Sequence, residues 1–121
     1  ELEFNTGWFT PTANSNIVFD LTGTGFDLLT AEQKEKIKVH SLVKVITAQH
    51  GYLVGDLVDI LANDYMASSA GQIGFASIIR NNSLMVVIGK DPSLIAPSNT
   101  GFAELSKVNT QLKVTLTYKK D

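Results

Sequence analysis

Cysteine is absent from this 121-residue chain, which excludes a disulfide framework, a thiolate nucleophile and any cysteine-ligated metal site. The absence leaves the redox compartment open. Long hydrophobic runs are missing as well: apolar residues make up 44% of the chain, yet no uninterrupted segment approaches the roughly 18 residues that read as a membrane-spanning helix. A soluble domain without membrane insertion is expected. Nor is there an excess of positive charge. Ten basic residues stand against 12 acidic ones, a formal net charge of -2, so the chain has no general attraction to phosphate backbones, and nucleic acid is not an expected partner. The two histidines, His40 and His50, lack a metal-ligand companion at close spacing, and no nucleophile-elbow sequence accompanies them. Neither a metal centre nor a serine triad is expected, and no cofactor is implied.

A chain of 121 residues fits one domain with a single core. It opens Glu1-Leu2-Glu3-Phe4, without an initiating methionine, a basic start or a long apolar stretch, so the opening does not read as a signal peptide. The chain reads as a processed product or a fragment of something longer. Residues 1–10 are expected as a linker or a leading strand of a single 1–121 domain, with Leu2 to Phe4 also fitting a remnant of cloning.

What is present is a β pattern. Val43, Val45 and Thr47 alternate with Lys44 and Ile46, and a second apolar run follows at Leu57 to Leu61. Period-two spacing of β-branched residues marks a strand with at least one buried face. Gly51, Tyr52, Gly55 and Asp56 lie between the two runs: glycine supplies the positive φ that tight turns require, and aspartate bonds its own turn backbone. The segment predicts a hairpin. A cation site built from Asp56, Asp59 and Asp64 is the competing reading, but their spacing lacks the dense alternation of a calcium loop.

Other strands are expected at Asn16 to Leu21, Ile73 to Ile79, Leu84 to Ile88 and Leu112 to Tyr118. Asn81 and Asn82 suit a tight turn between the second and third of these segments. In the last, Leu112, Val114, Leu116 and Tyr118 oppose Lys113, Thr115 and Thr117, a pattern of one buried and one wet face typical of an antiparallel sheet. Thr30 and Gln33 have capping-box spacing, so one short helix is expected there, its charges Glu32, Lys34, Glu35 and Lys36 forming a solvated face. The stretches 62–71 and 89–111 read as loops. Without strand-helix alternation, the class is mainly β, an antiparallel sandwich or barrel-like domain with one short helix. If successive strands simply alternate in direction, the connections near 22–38, 62–72 and 89–111 share one end, and the turns near 48–56 and 80–83 share the other.

Chemistry is thinly supplied. Gly71-Gln72-Ile73-Gly74 precedes a strand pattern and lacks the lysine of a phosphate loop, so it reads as a strand start. Carboxylates from distant strands can meet in a groove for glycoside hydrolysis, but Asp56 and Asp59 have turn and strand-edge roles, Glu32 and Glu35 belong to the helix, and Glu104 lies in a loop. No catalytic residue is nominated. The best binding set is Tyr65 with Asn63, Asp64 and Met66 around it, because an exposed tyrosine offers an apolar ring and a hydrogen-bonding tip. Trp8 and Phe9 are read as core or interface rather than as a ligand platform.

Four stretches carry a resemblance: Asn5-Thr6-Gly7-Trp8, Lys44 to Ile60 with its Gly-Tyr-x-x-Gly-Asp turn, Asn82-Ser83-Leu84-Met85-Val86-Val87, and Gly101 through Tyr118. In this order they resemble the small β-rich domains that end bacteriophage tail fibres and virion spikes. The chain departs from that pattern at Gly23-Thr24-Gly25-Phe26, where many such domains carry His-Gly-Leu-Gly, and at Gln111, where a tryptophan opens the last strand. The first departure adds an inserted helix before the second strand. The resemblance implies a non-enzymatic virion structural domain, commonly trimeric, that joins other virion proteins and contacts a host cell-surface glycan or protein through exposed loops. A capsid or tail decoration protein without a receptor is the alternative, and a glycan-cleaving domain a third.

Overall fold

The computed structural model describes residues 1–12, 15–49, 51–60, 66–68, 71–73, 75–89, 93–95, 102–104 and 110–119. Among the described residues the strands are β1 (Leu2–Asn5), β2 (Ser15–Asp20), β3 (Lys38–Val45), β4 (Leu57–Ile60), β5 (Met66–Ser68), β6 (Gly71–Ile73), β7 (Phe75–Arg80), β8 (Ser83–Ile88), β9 (Ser93–Ile95), β10 (Phe102–Glu104) and β11 (Thr110–Tyr118). Two sheets dominate, a four-stranded one of order β1-β11-β3-β4 and a three-stranded one of order β2-β8-β7. Every pairing within them is antiparallel. The fold is the expected mainly β, antiparallel class, and because the two sheets have separate, unclosed strand orders it is an open sandwich rather than a barrel.

Alternation along the strands builds the core. On β11, Thr110, Leu112, Val114, Leu116 and Tyr118 are buried while the residues between them are partly exposed. On β8, Leu84, Val86 and Ile88 are buried in the same way. These residues meet Val43 and Val45 of β3 in one cluster, so the inner faces of the two sheets pack on each other. Phe19 of β2 contacts both Phe4 of β1 and Phe9, with ring centroids 6.4 and 5.6 Å apart. The leading segment Leu2–Asn5 is thus an edge strand of the larger sheet, in register with Tyr118 through Thr115.

The expected helix is α1 (Ala31–Lys34), opened by a complete capping box in which Thr30 and Gln33 bond each other's backbone N–H. A 3-10 turn at Phe26–Leu28 precedes it and was not legible in advance; it drives Phe26 into the core. Two expected loops hold short strand pairs instead, β5 with β6 and β9 with β10. Three-residue strands are too short to establish a period. The expected single strand Ile73 to Ile79 is divided, β6 ending at Ile73 and β7 starting at Phe75.

Simple alternation of connections fails, and the pairing shows why. Strand β2 lies against β8, with Asp20 opposite Ser83, so the 21–37 connection emerges beside the tight 81–82 turn rather than opposite it. Leu21 N–H donates to the Asn82 carbonyl at 2.8 Å, and Lys34 Nζ donates to the Asn81 carbonyl at 3.1 Å. Likewise β11 inserts between β1 and β3, a Greek-key type of crossing. One end of the sandwich therefore carries the 21–37 connection, the 81–82 turn, Leu2 and Tyr118. The 46–56 connection and the approaches to Ser15, Ile88 and Thr110 lie at the other.

Candidate functional site

The site begins with a register shift. Along β1 the residue numbers of paired partners follow one line, Leu2 opposite Tyr118 through Asn5 opposite Thr115, and Thr6 continues it by donating its N–H to the Val114 carbonyl at 3.0 Å. The next ladder contact is Phe9 with Leu112, exchanging two backbone bonds of 2.9 and 2.8 Å. Gly7 and Trp8 thus stand opposite the single residue Lys113, which is a β-bulge. Gly7 has φ +70°, the left-handed conformation that glycine adopts at no steric cost. Its N–H donates to Asn5 Oδ1 at 2.9 Å, its carbonyl accepts from Thr6 Oγ1 at 2.8 Å, and Thr6 Oγ1 accepts from Val114 N–H at 3.1 Å. Each residue of the Asn5-Thr6-Gly7 triplet has a part in holding the bulge.

The extra residue reverses which side chain faces in. Without it, strict alternation from Leu2 and Phe4 would send Trp8 to the core and Phe9 to solvent. With it, Phe9 packs on the core and the Trp8 indole lies on the outer face of the four-stranded sheet. There Lys44 Nζ is 4.4 Å and Lys113 Nζ 4.8 Å from the indole centroid, each contact worth about 0.5–1 kcal/mol at an exposed site. Of the expected core or interface placement, the core alternative holds for Phe9 and fails for Trp8. The available sequence signal was an asparagine two residues before a glycine, which marks a left-handed turn, but the shift it produces is visible only against β11.

The rest of this outer face follows from register. Gln111, Lys44 and Leu57 form one row across β11, β3 and β4; Lys113, Leu42 and Asp59 form the next; Asn5, Thr115 and His40 the third. His40 Nε2 lies 3.2 Å from Asp59 Oδ1, with both side chains more than half exposed. That pairing contributes little to stability, about 0–1 kcal/mol when the imidazole is charged. Among the described residues it is the one carboxylate pairing, so neither Lys44 nor Lys113 has an acidic partner there.

The outer face of the three-stranded sheet has another character. Val18, Met85 and Ile78 form its middle row, Asn16, Val87 and Ala76 one flank, and Asp20, Ser83 and Arg80 the other. Charge is confined to the last row. Val18 is 62% exposed, and Met85, Val87, Ile78 and Ala76 are partly exposed. The three-stranded sheet is therefore rich in apolar residues on both sides.

Of the turn residues named from sequence, Gly51, Tyr52, Gly55 and Asp56 cluster between the end of β3 and the start of β4. Gly51 has φ 92° and Gly55 φ 90°. Gln49 and Tyr52 exchange backbone bonds, Gly55 N–H donates to Val45 O, Val45 N–H donates to Asp56 O, and Asp56 Oδ2 accepts from Leu53 N–H at 2.8 Å. Tyr52 is buried; desolvation, then the nearby Asp56 charge, push its phenol above the ordinary value. Asn81 has φ 54° and forms with Asn82 the turn between β7 and β8. Asn63, Asp64 and Tyr65 lie outside the described residues, as do His50 and the side chains of Met66 and Glu104; Met66 opens β5 opposite Ile73. Asp56 and Asp59 point to separate partners, and among the described residues no three acidic or histidine side chains gather for a metal.

Two depressions lie among the described residues. An apolar crevice between Pro11, Val43, Phe75, Ile88 and Leu112 leaves no space for a water molecule. An open depression of about 500 Å³ is lined by Glu1, Lys36, Lys38, Thr117 and Lys119, with no aromatic or amide side chain among these described residues. No protein-family model, no curated protein and no solved structure matches this chain.

Proposed function

We propose that the chain is a non-catalytic virion domain, the tip of a bacteriophage tail fibre or spike, that assembles with copies of itself as a trimer and contacts a host cell-surface glycan or protein. The observation that carries this reading is the apolar outer row Val18, Met85 and Ile78. Sheets with apolar residues on both sides occur where both sides are covered, and closed three-fold symmetry covers such surfaces while consuming exposed sheet edges. Attachment to other virion proteins and location in the particle follow from the same reading. Receptor contact falls to exposed surfaces facing away from the assembly, where several weak contacts on one rigid particle act together at high effective concentration; Asn63, Asp64, Tyr65 and Met66 are the residues the sequence nominates for it.

The test is the solution mass by light scattering across a wide concentration range, for the natural chain and for Val18→Lys. A mass three times the 13.1 kDa chain, lost in Val18→Lys while the β-sheet spectrum survives, supports the proposal. A natural chain that stays monomeric at every concentration overturns the self-assembly reading. A trimer that binds no host cell leaves the decoration reading in its place.

A further inference from the structure

We infer that the bulge at Gly7-Trp8 builds a binding site for an acidic saccharide, in which the Trp8 indole offers an apolar platform, Lys44 and Lys113 receive the carboxylate, and Gln111 bonds a hydroxyl. This rests on the receptor-contact part of the reading above and gives it a place and a ligand class. Three observations converge. First, the bulge is what turns the indole out of the core, and bulges that re-aim a side chain are over-represented beside binding and active sites. Second, two ammonium groups sit within 4.4 and 4.8 Å of one ring centroid, and among the described residues no carboxylate neutralises either. Two like charges beside one ring repel each other, and an anion that reaches both relieves that repulsion. Third, Gln111 is opposite Lys44 in register on the same outward face, a donor and acceptor side by side for a hydroxyl.

Charge selects the ligand. The same face carries Glu3 on β1 and Asp59 on β4, the latter already engaged by His40. A long polyanion laid across it would meet these carboxylates, whereas a single carboxylate on a sugar ring meets only the two lysines. The sugar's apolar C–H face suits the indole, which combines a broad apolar surface with a polar edge. The depression lined by Lys36, Lys38 and Lys119 is also basic, but its described wall contains Glu1 and no ring, and so offers no platform among the described residues.

Trp8 is the only tryptophan in the chain, so its fluorescence reports the site directly. The probes are a glucuronic-acid-containing disaccharide, its neutral glucose counterpart, sodium sulfate, an acidic peptide and a short oligonucleotide. The expected result is a saturable change in Trp8 emission with the acidic disaccharide, at least tenfold weaker with the neutral sugar and with Lys44→Gln/Lys113→Gln, and weakened by added salt. Equal binding of the neutral sugar, no response to the acidic one, or a stronger response to peptide, oligonucleotide or sulfate alone overturns the inference. The double glutamine variant retains the β-sheet spectrum if its loss is a loss of binding, and Lys44→Arg/Lys113→Arg, which keeps both charges, is expected to recover most of the affinity. Host-cell binding separates this inference from the reading beneath it. If the natural chain binds cells and the double variant binds equally well, the site falls and the receptor function stands. If the natural chain binds no cells, the receptor function falls, and the fluorescence titration still decides the site.

Discussion

Across the outer face of the four-stranded sheet the middle row reads Lys113, Leu42 and Asp59, with Trp8 lying over its neighbours; across the three-stranded sheet it reads Val18, Met85 and Ile78. Both rows occupy equivalent places, one pleat away from a core row of aliphatic residues. The inner rows have one task, exclusion of water, and are nearly interchangeable. The outer rows have diverged into a charged aromatic surface and an apolar one. A sheet needs only one dry face to be stable, so the chemistry on its other face is free to record what that face meets.

The sharpest way to break this contrast is on β8, where adjacent residues face opposite ways. Leu84→Ala, at a fully buried position, is expected to cost about 2–5 kcal/mol in chemical denaturation, whereas Met85→Ala should cost well under half as much in the monomer and act mainly on the assembled mass. Equal costs at concentrations where the chain is monomeric would mean that the chain itself covers this face. The second test attacks the device that creates the polar face. Gly7→Val forces a β-branched residue to φ +70° and should destabilise the domain by about 1–3 kcal/mol, with an altered Trp8 emission, because such side chains strain in left-handed backbone. Gly55→Val, at φ +90°, should lower the thermal midpoint comparably, with a smaller change in Trp8 emission because the bulge itself is kept. Unchanged stability in both would refute the backbone geometry.

A smaller effect is expected from Asp59→Asn. The carboxylate and His40 are mostly exposed, so the loss in stability should stay within about 1 kcal/mol; a larger one would show that the pair organises the polar face rather than decorating it. The smallest is confined to alkaline solution. Burial raises the Tyr52 phenol above its ordinary 10.0, so the stability held by the neutral ring is fully present below that value and is lost as pH rises through the folded one. Urea midpoints of the natural chain and Tyr52→Phe should therefore run parallel up to about pH 10, above which the natural chain falls faster. Parallel curves at every pH would place Tyr52 in solvent.

Much of the sandwich was legible. Leu112, Val114, Leu116 and Tyr118 alternate cleanly because β11 lies mid-sheet with one face wet, and Thr30 with Gln33 announced α1 because a capping box is local chemistry. The candidate site was less so. Trp8 and Phe9 are adjacent aromatics in an edge segment, and nothing within the segment says which faces inward; the answer lies in one extra residue counted against Lys113, over a hundred positions away. Phe26 was equally silent, since a single aromatic in a short 3-10 turn has no period to betray it.

The amino-acid order by itself determined the class, the strands with clean alternation, the helix start and the residues available for turns, because these depend on side-chain period and on backbone preferences acting within a few residues. Tertiary structure alone decided that β11 enters between β1 and β3, that β2 lies against β8, and that Trp8 stands with Lys44 and Lys113 outside the core. Those outcomes depend on register between distant strands, where a one-residue shift exchanges the two faces of a segment without changing any local propensity.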